Sequence, residues 1–157
     1  MSPQDRSSWT LRDWERRLCG NSTQPGPRFT EADLDGLDTP VRRHLAQAIC
    51  VGAPVVQCGR LSMRGSIKLG RWLPFRARQV LNPHVGFIWA ARVAGVIAGS
   101  DQYLDGIAGM NWKLGGLLTV ASGQGRDVSC SAAGRCGAEA IWLPTAMLPG
   151  AEVRWTT

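Results

Sequence analysis

Residues 60–69 alternate without a break. Leu61, Met63, Gly65, Ile67 and Leu69 fall on one parity, and Arg60, Ser62, Arg64, Ser66 and Lys68 on the other. A period of two does not fit a helix. It describes a strand with one buried face and one wet, basic face, as antiparallel sheets have. Residues 72–81 repeat the pattern: Leu73, Phe75 and Ala77 point one way, Arg76 and Arg78 the other. Pro74 cannot donate to a ladder, so this strand is expected to start at an edge or bulge. After the turn Asn82-Pro83-His84 come Val85, Phe87, Trp89, Ala91 and Val93 on one parity. The other parity (Ile88, Ala90, Val96) is apolar too, which predicts a strand covered on both sides. Two more strands are expected over 97–104 and 110–120, broken at Gly106 and Gly109. Leu114-Gly115-Gly116-Leu117 reads as a bulge and Gly123-Gln124-Gly125 as a turn.

Helices flank this meander. Over 7–18, Leu11, Trp14 and Leu18 form a stripe, with Arg12, Arg16 and Arg17 on other faces. A breaker-rich linker follows over 21–27. Thr30-Glu31-Ala32-Asp33 has the form of a capping box. Thr39 is expected to cap a second helix with Pro40 in its first turn and Val41, Leu45, Ala48 and Ile49 as its apolar stripe. Asp127 is expected to cap a last helix over 128–142, ended by Pro144 and Pro149. Val153-Arg154-Trp155 reads as the start of another strand. The fold class is α+β: N-terminal helices, a curved antiparallel meander of four or five strands forming an open half-barrel, and one helix near the C-terminus. Residues 1–28 are read as an N-terminal helix and linker, and 29–157 as one α+β domain.

Composition narrows the partners. A chain of 157 residues can bury a real core. Its net charge is +6, and Lys68 and Lys113 are the only lysines among 18 basic residues. Such a surface can attract nucleic acid or anionic lipid, but a solvated basic face is the simpler account. Nucleic-acid sheets add stacking aromatics on the basic face, whereas Phe75 and Phe87 fall on the apolar one, which argues against nucleic acid. The five cysteines include no C-x-x-C, so free thiols in a reducing, cytoplasmic setting are expected. Residues 1–20 lack the apolar stretch of a signal peptide, and no apolar run is long enough to span a membrane. The helix carrying Trp9 and Trp14 with Arg12, Arg16 and Arg17 offers a peripheral membrane contact; docking on the sheet is the simpler account.

Four motifs occur in order: W-x-P-F-x-A-x-Q from Trp72, G-F-x-W from Gly86, D-x-Y-x-D-G from Asp101, and G-x-E-x-x-W-x-P-T-A-x-L-P from Gly137. With P-V-R-R-H-L from Pro40, they resemble a family of uncharacterised bacterial proteins, mainly actinobacterial, over residues 29–155. The resemblance implies an architecture and carries no activity. It also implies several more strands after Val153-Arg154-Trp155, so the chain is expected to be a shortened member with an open sheet edge that invites self-association. The meander with a helix on one face also resembles lipoprotein-carrier half-barrels, a likeness of fold only.

Two constellations carry candidate chemistry. Asp101, Tyr103 and Asp105 alternate, and on a strand they share a face. Paired carboxylates suit acid–base work or a cation, but Asp105-Gly106 is a common hairpin signal, and a polar turn is the favoured account. Arg135 and Glu139 stand at i and i+4, with a surface ion pair as the default. His44 and His84 have no ligand-spaced neighbours, and the motifs of nucleophilic or zinc catalysis are absent from the sequence. Neither catalytic residue, metal nor cofactor is expected.

Seven tryptophans stand against one tyrosine. Trp72, Trp89, Trp112 and Trp142 lie on segments expected to converge, as a core or around a ligand. The leading expectation is non-enzymatic binding of an apolar or lipid-like small molecule in a sheet-lined cavity. Phe75, Phe87, Trp89, Tyr103, Trp112 and Trp142 are the lining candidates, and Asp101, Asp105, Arg135 and Glu139 the polar ones. Two other readings stay open: an enzyme using the acidic residues in a cleft, and a truncated member without independent function.

Overall fold

Six strands follow one another across a single antiparallel sheet in chain order. They are β1 (Gly59–Leu69), β2 (Arg71–Asn82), β3 (Gly86–Val93), β4 (Ile97–Leu104), β5 (Ile107–Leu114) and β6 (Leu118–Gln124). The structure is a computed structural model and describes residues 9–20, 26–150 and 152–156. Helix α1 (Leu11–Cys19) and helix α2 (Thr39–Ala48) precede the sheet, and helix α3 (Arg126–Ala138) follows it. The sheet is an open meander with β1 and β6 at its edges, so the α+β class holds.

The alternation of β1 and β2 places Arg60, Arg64, Arg76 and Arg78 on one face, and register extends the row. Arg64 pairs with Arg76, and Arg76 with Arg92 on β3. Pro74 sits where β2 has run past the end of β3, whose pairing stops at Phe75–Val93; β2 is locally an edge there. β3 is covered on both faces. On one, α1 lays Trp14 and Leu18 against Val80, Ile88 and Leu104. On the other, Cys136 of α3 meets Leu81 and Phe87. Val80 and Leu81 are neighbours in sequence, as are Phe87 and Ile88, so each pair sends one side chain to each helix.

The Leu11, Trp14 and Leu18 stripe therefore docks on the sheet, and Trp14 is wholly buried. α1 is closed at its N-terminus by a capping box between Thr10 and Asp13. At its other end the Asn82 amide donates to Leu18 O at 2.8 Å, satisfying a terminal carbonyl. A second core gathers under α2, where Phe29, Leu34, Val41, Leu45 and Ile49 pack with Met147, Leu148 and Trp155.

Several expectations need correction. Residues 110–120 are not one strand. Gly115 and Gly116 both have positive φ (60° and 78°) and, with Leu117, make a three-residue hairpin turn between β5 and β6. The irregularity expected at that point lies just before it, where the register shifts between Trp112 and Lys113. The last helix stops at Ala138, and two 3-10 turns (Glu139–Trp142 and Pro144–Met147) carry the chain onward. Asp127 lies in its first turn, behind Gly125 as the capping residue, and Asp38 rather than Thr39 precedes α2. Val153-Arg154-Trp155 forms no strand; Trp155 instead turns onto the α2 core and donates Nε1–H to Met147 O at 3.0 Å. Most of the expected 21–27 linker, and the first residues of the expected 7–18 helix, lie outside the described residues.

The thiols also differ from expectation. Cys19, the last residue of α1, and Cys58, just before β1, form a disulfide across a sequence separation of 39 residues; Cys50, Cys130 and Cys136 are free. The link ties α1 to the entry of the sheet. Closing a loop of that length removes about 3–4 kcal/mol of unfolded-state entropy. Urea unfolding with and without dithiothreitol is expected to show a loss of about that size on reduction. Coincident curves would show that the pair contributes nothing to stability.

Candidate functional site

Where α3 crosses the sheet, it sets one arginine over the strands. Arg135 donates through Nε to Glu139 Oε1 at 2.8 Å and through Nη1 to Asp101 Oδ2 at 3.2 Å. The other two carboxylate oxygens are also engaged. Trp112 Nε1–H donates to Asp101 Oδ1 at 2.9 Å, and the Gln79 amide donates to Glu139 Oε2. Gln79 is buried on β2, directly opposite Trp89 in register. Below the guanidinium lie two rings, Phe87 at 4.7 Å and Trp89 at 5.3 Å from Cζ to centroid. The expected surface pair is thus the centre of a partly buried network built from β2, β3, β4, β5 and α3. Arginine suits this place because its planar fork reaches two carboxylates while its face stacks on aromatics.

Strand parity explains the convergence. Gln79, Trp89, Asp101 and Met110 form one register row facing α3. Phe87 and Tyr103 are paired in the next row and their rings lie 6.3 Å apart. Trp89 touches Phe75 (6.2 Å between centroids) on one side and Trp112 (5.7 Å) on the other. Trp112 reaches Asp101 by crossing β4 at Gly99, its register partner. A Cβ at Gly99 would stand 2.5 Å from Cδ2 of that indole, so only glycine leaves the ring its path.

The structure therefore brings together Phe75, Phe87, Trp89, Asp101, Tyr103, Trp112, Arg135 and Glu139. It sets the other candidates apart. Asp105 leaves the strand parity at a turn with φ 50° and pairs with Arg17 of α1 at 2.7 Å. Trp142 is 65% exposed on the 3-10 turn after α3, and Trp72 is exposed on the β1–β2 hairpin, so neither joins the aromatic row. Gln79 and Gly99 were missed by the sequence reading. Gln79 closes the W-x-P-F-x-A-x-Q motif and is a polar residue on a buried parity; for Gly99 the signal is a glycine that interrupts the large side chains of a strand.

Beside the network, a cleft of about 380 Å³ opens between α3 and strands β4 and β5. Phe87, Ala108, Met110, Val128 and Ala132 give it an apolar lining; Asp101, Asp127 and Arg135 supply its charge. A larger, open trough of about 890 Å³ lies on the opposite face, where Arg64, Arg76, Arg78 and Arg92 are exposed around Ser62, Ala90 and Ala98. Cys136 backs the core next to the network. Burial, reinforced by the Glu139 carboxylate, pushes its thiol up to about 11.

Residues 27–157 match DUF6544, a family of unknown function. The chain belongs to this family. No curated protein and no solved structure matches it. The family brings no chemistry, so function rests on the geometry. That geometry holds both carboxylates as acceptors in a structural latch, with each oxygen already facing a donor of the protein.

Arg135→Met leaves two carboxylates facing each other over aromatic rings and is expected to cost about 2–4 kcal/mol in urea unfolding. Adding Asp101→Asn and Glu139→Gln is expected to restore part of the loss. Strict additivity of the three changes would show that the groups act separately. A second outcome follows from Cys136. Burial holds its folded thiol above the ordinary value of 9.0, so the neutral form favours the fold. That stability is complete below pH 9 and is lost as pH rises from 9 towards about 11. Cys136→Ala is expected to flatten this limb of the stability–pH profile; an unchanged limb would assign it to other groups.

Proposed function

We propose that this chain is a non-enzymatic binding protein for an apolar, lipid-like small molecule, held in the cleft between α3 and strands β4 and β5. The observation that carries the reading is the pairing of an apolar cleft with a polar network that is already satisfied. The cleft's volume of about 380 Å³ falls within the range of small-molecule sites. Its lining offers methyl, thioether and ring surface in Ala108, Met110, Val128, Ala132 and Phe87. Acid–base catalysis needs a carboxylate oxygen free to take or give a proton at the substrate. Asp101 and Glu139 spend theirs on Arg135, Trp112 and Gln79, which favours binding over turnover. The Cys19–Cys58 disulfide supports a setting that keeps thiols oxidised, in place of the cytoplasmic one expected from sequence.

Native mass spectrometry of protein purified from cells without detergent tests the reading. The expected result is a reproducible small-molecule adduct on a folded protein. N-phenyl-1-naphthylamine serves as a neutral apolar probe in parallel. Its fluorescence is expected to rise on binding and to fall back with Ala132→Phe, which fills the cleft from α3. A probe response that Ala132→Phe leaves intact, together with no adduct, would overturn the proposal.

A further inference from the structure

A row of unpaired basic residues and a group of exposed apolar side chains lie at the same end of the sheet, while Val51, Val56, Ile107, Ile141 and Trp142 are exposed elsewhere. In a meander the β1–β2, β3–β4 and β5–β6 turns share one end, and both helices that cover β3 pack near the other. The three turns carry Leu69 and Trp72, Val96, and Leu117 with Leu118, all exposed; Trp72 is 68% and Leu117 92% exposed. These are large apolar side chains that folding has left in water, where a soluble surface ordinarily scatters them singly.

Basic residues surround them. Arg64, Lys68, Arg71, Arg76, Arg92 and Lys113 lie on the strands leading to these turns, and all six are exposed. The chain has no Asp or Glu between Asp38 and Asp101, nor between Asp105 and Asp127. No ion pair therefore neutralises these six among the described residues. The strand register makes this costly. Arg64, Arg76 and Arg92 stand directly opposite one another on three adjacent strands, an arrangement that repels. A fold that keeps an unrelieved row of like charge beside bare leucines and a tryptophan is complementary to a surface with anionic heads and an apolar interior.

We infer that this end of the sheet docks on an anionic lipid bilayer. The hairpin tips enter the headgroup region, with Trp72 at the interface, and the basic row meets lipid phosphates. Trp72 and Lys68 are register partners, so an interfacial ring and a cation share one position on the longest hairpin. β1 and β2 extend past the end of β3 by the stretch Ser66–Pro74, so a plane through all three tips is inclined to the strands. This surface is separate from the cleft under α3, and the inference does not depend on what that cleft holds.

Co-sedimentation of the full chain with vesicles tests it. Vesicles of phosphatidylcholine containing phosphatidylglycerol are expected to bring the protein down, and pure phosphatidylcholine to leave it in solution. Lys68→Ala with Arg71→Ala is expected to lower the partition coefficient by roughly tenfold or more, and added salt to act the same way. Leu117→Asp with Leu118→Asp is expected to lower it by about tenfold or more without changing the thermal midpoint, because both side chains are already exposed. Should that pair unfold the chain, Trp72→Ala gives the same reading at another tip. Ala132→Phe is expected to leave vesicle binding unchanged, which keeps this test apart from that of the cleft. The inference is overturned by no binding to the anionic vesicles; by vesicle binding that the tip variants leave intact; or by a wild-type dimer that Leu117→Asp makes monomeric without any vesicle binding, which would show that the tips cover one another. Binding of single-stranded RNA in place of vesicles would assign the basic row to nucleic acid and overturn it equally.

Discussion

The burial of β3 on both faces is the constraint from which the rest of the molecule follows. An antiparallel sheet normally hides one face, and its strands alternate accordingly. Here Val80–Leu81 and Phe87–Ile88 put apolar side chains on both faces of the same short stretch of β2 and β3. One helix cannot cover both. α1 and α3 must therefore clamp the sheet from opposite sides at one end, and the Asn82 turn lies between them. Its amide closes α1, and its carbonyl lies within reach of the Cys136 thiol of α3. With both helices committed there, nothing in the described structure covers the hairpin end.

The latch around Arg135 belongs to that arrangement. α3 has little apolar periodicity of its own, since Gly134 and Gly137 interrupt it and Cys136 is its one fully buried side chain. Its position on the sheet depends on polar contacts more than a typical covering helix would. A lone arginine held over Phe87 and Trp89 would be expensive to desolvate; two carboxylates supply its counter-charge, and Trp112 and Gln79 satisfy their remaining oxygens. A half-satisfied network in the same place would weaken the fold. Completeness is what lets α3 stand over a cleft instead of filling it.

Much of this was legible as parity. The alternation of β1 and β2, the double-sided apolarity of β3 and the stripe of α1 all follow from spacing alone, and the structure keeps them. What was not legible depended on positions distant in sequence. Cys19 and Cys58 become neighbours only once α1 lies on β2 and β3, and no spacing rule announces that. Arg135 and Glu139 looked like a helix-surface pair because the third partner, Asp101, lies on another element. The missed turn at Gly115-Gly116 was a signal misweighed: a Gly-Gly pair between apolar residues is a hairpin turn as readily as a bulge, and both glycines here take positive φ. Val153-Arg154-Trp155 has strand-forming residues, yet burying Trp155 on the α2 core outweighs their local preference.

The two ends of the sheet thus differ in kind. At the helical end, charges are placed against partners: Arg17 with Asp105, Arg60 with Glu15, Arg135 with Asp101 and Glu139. At the hairpin end the sequence supplies cations and withholds acids over the whole run from Asp38 to Asp101. Chance placement of a net +6 would scatter acids among the strands, and stability alone would favour pairing the arginines across β1, β2 and β3 with glutamates. Neither apolar tips nor an unpaired basic row helps this sheet to fold. Their coincidence at the one end that the helices leave open is therefore more economically explained by what the molecule meets than by how it holds together.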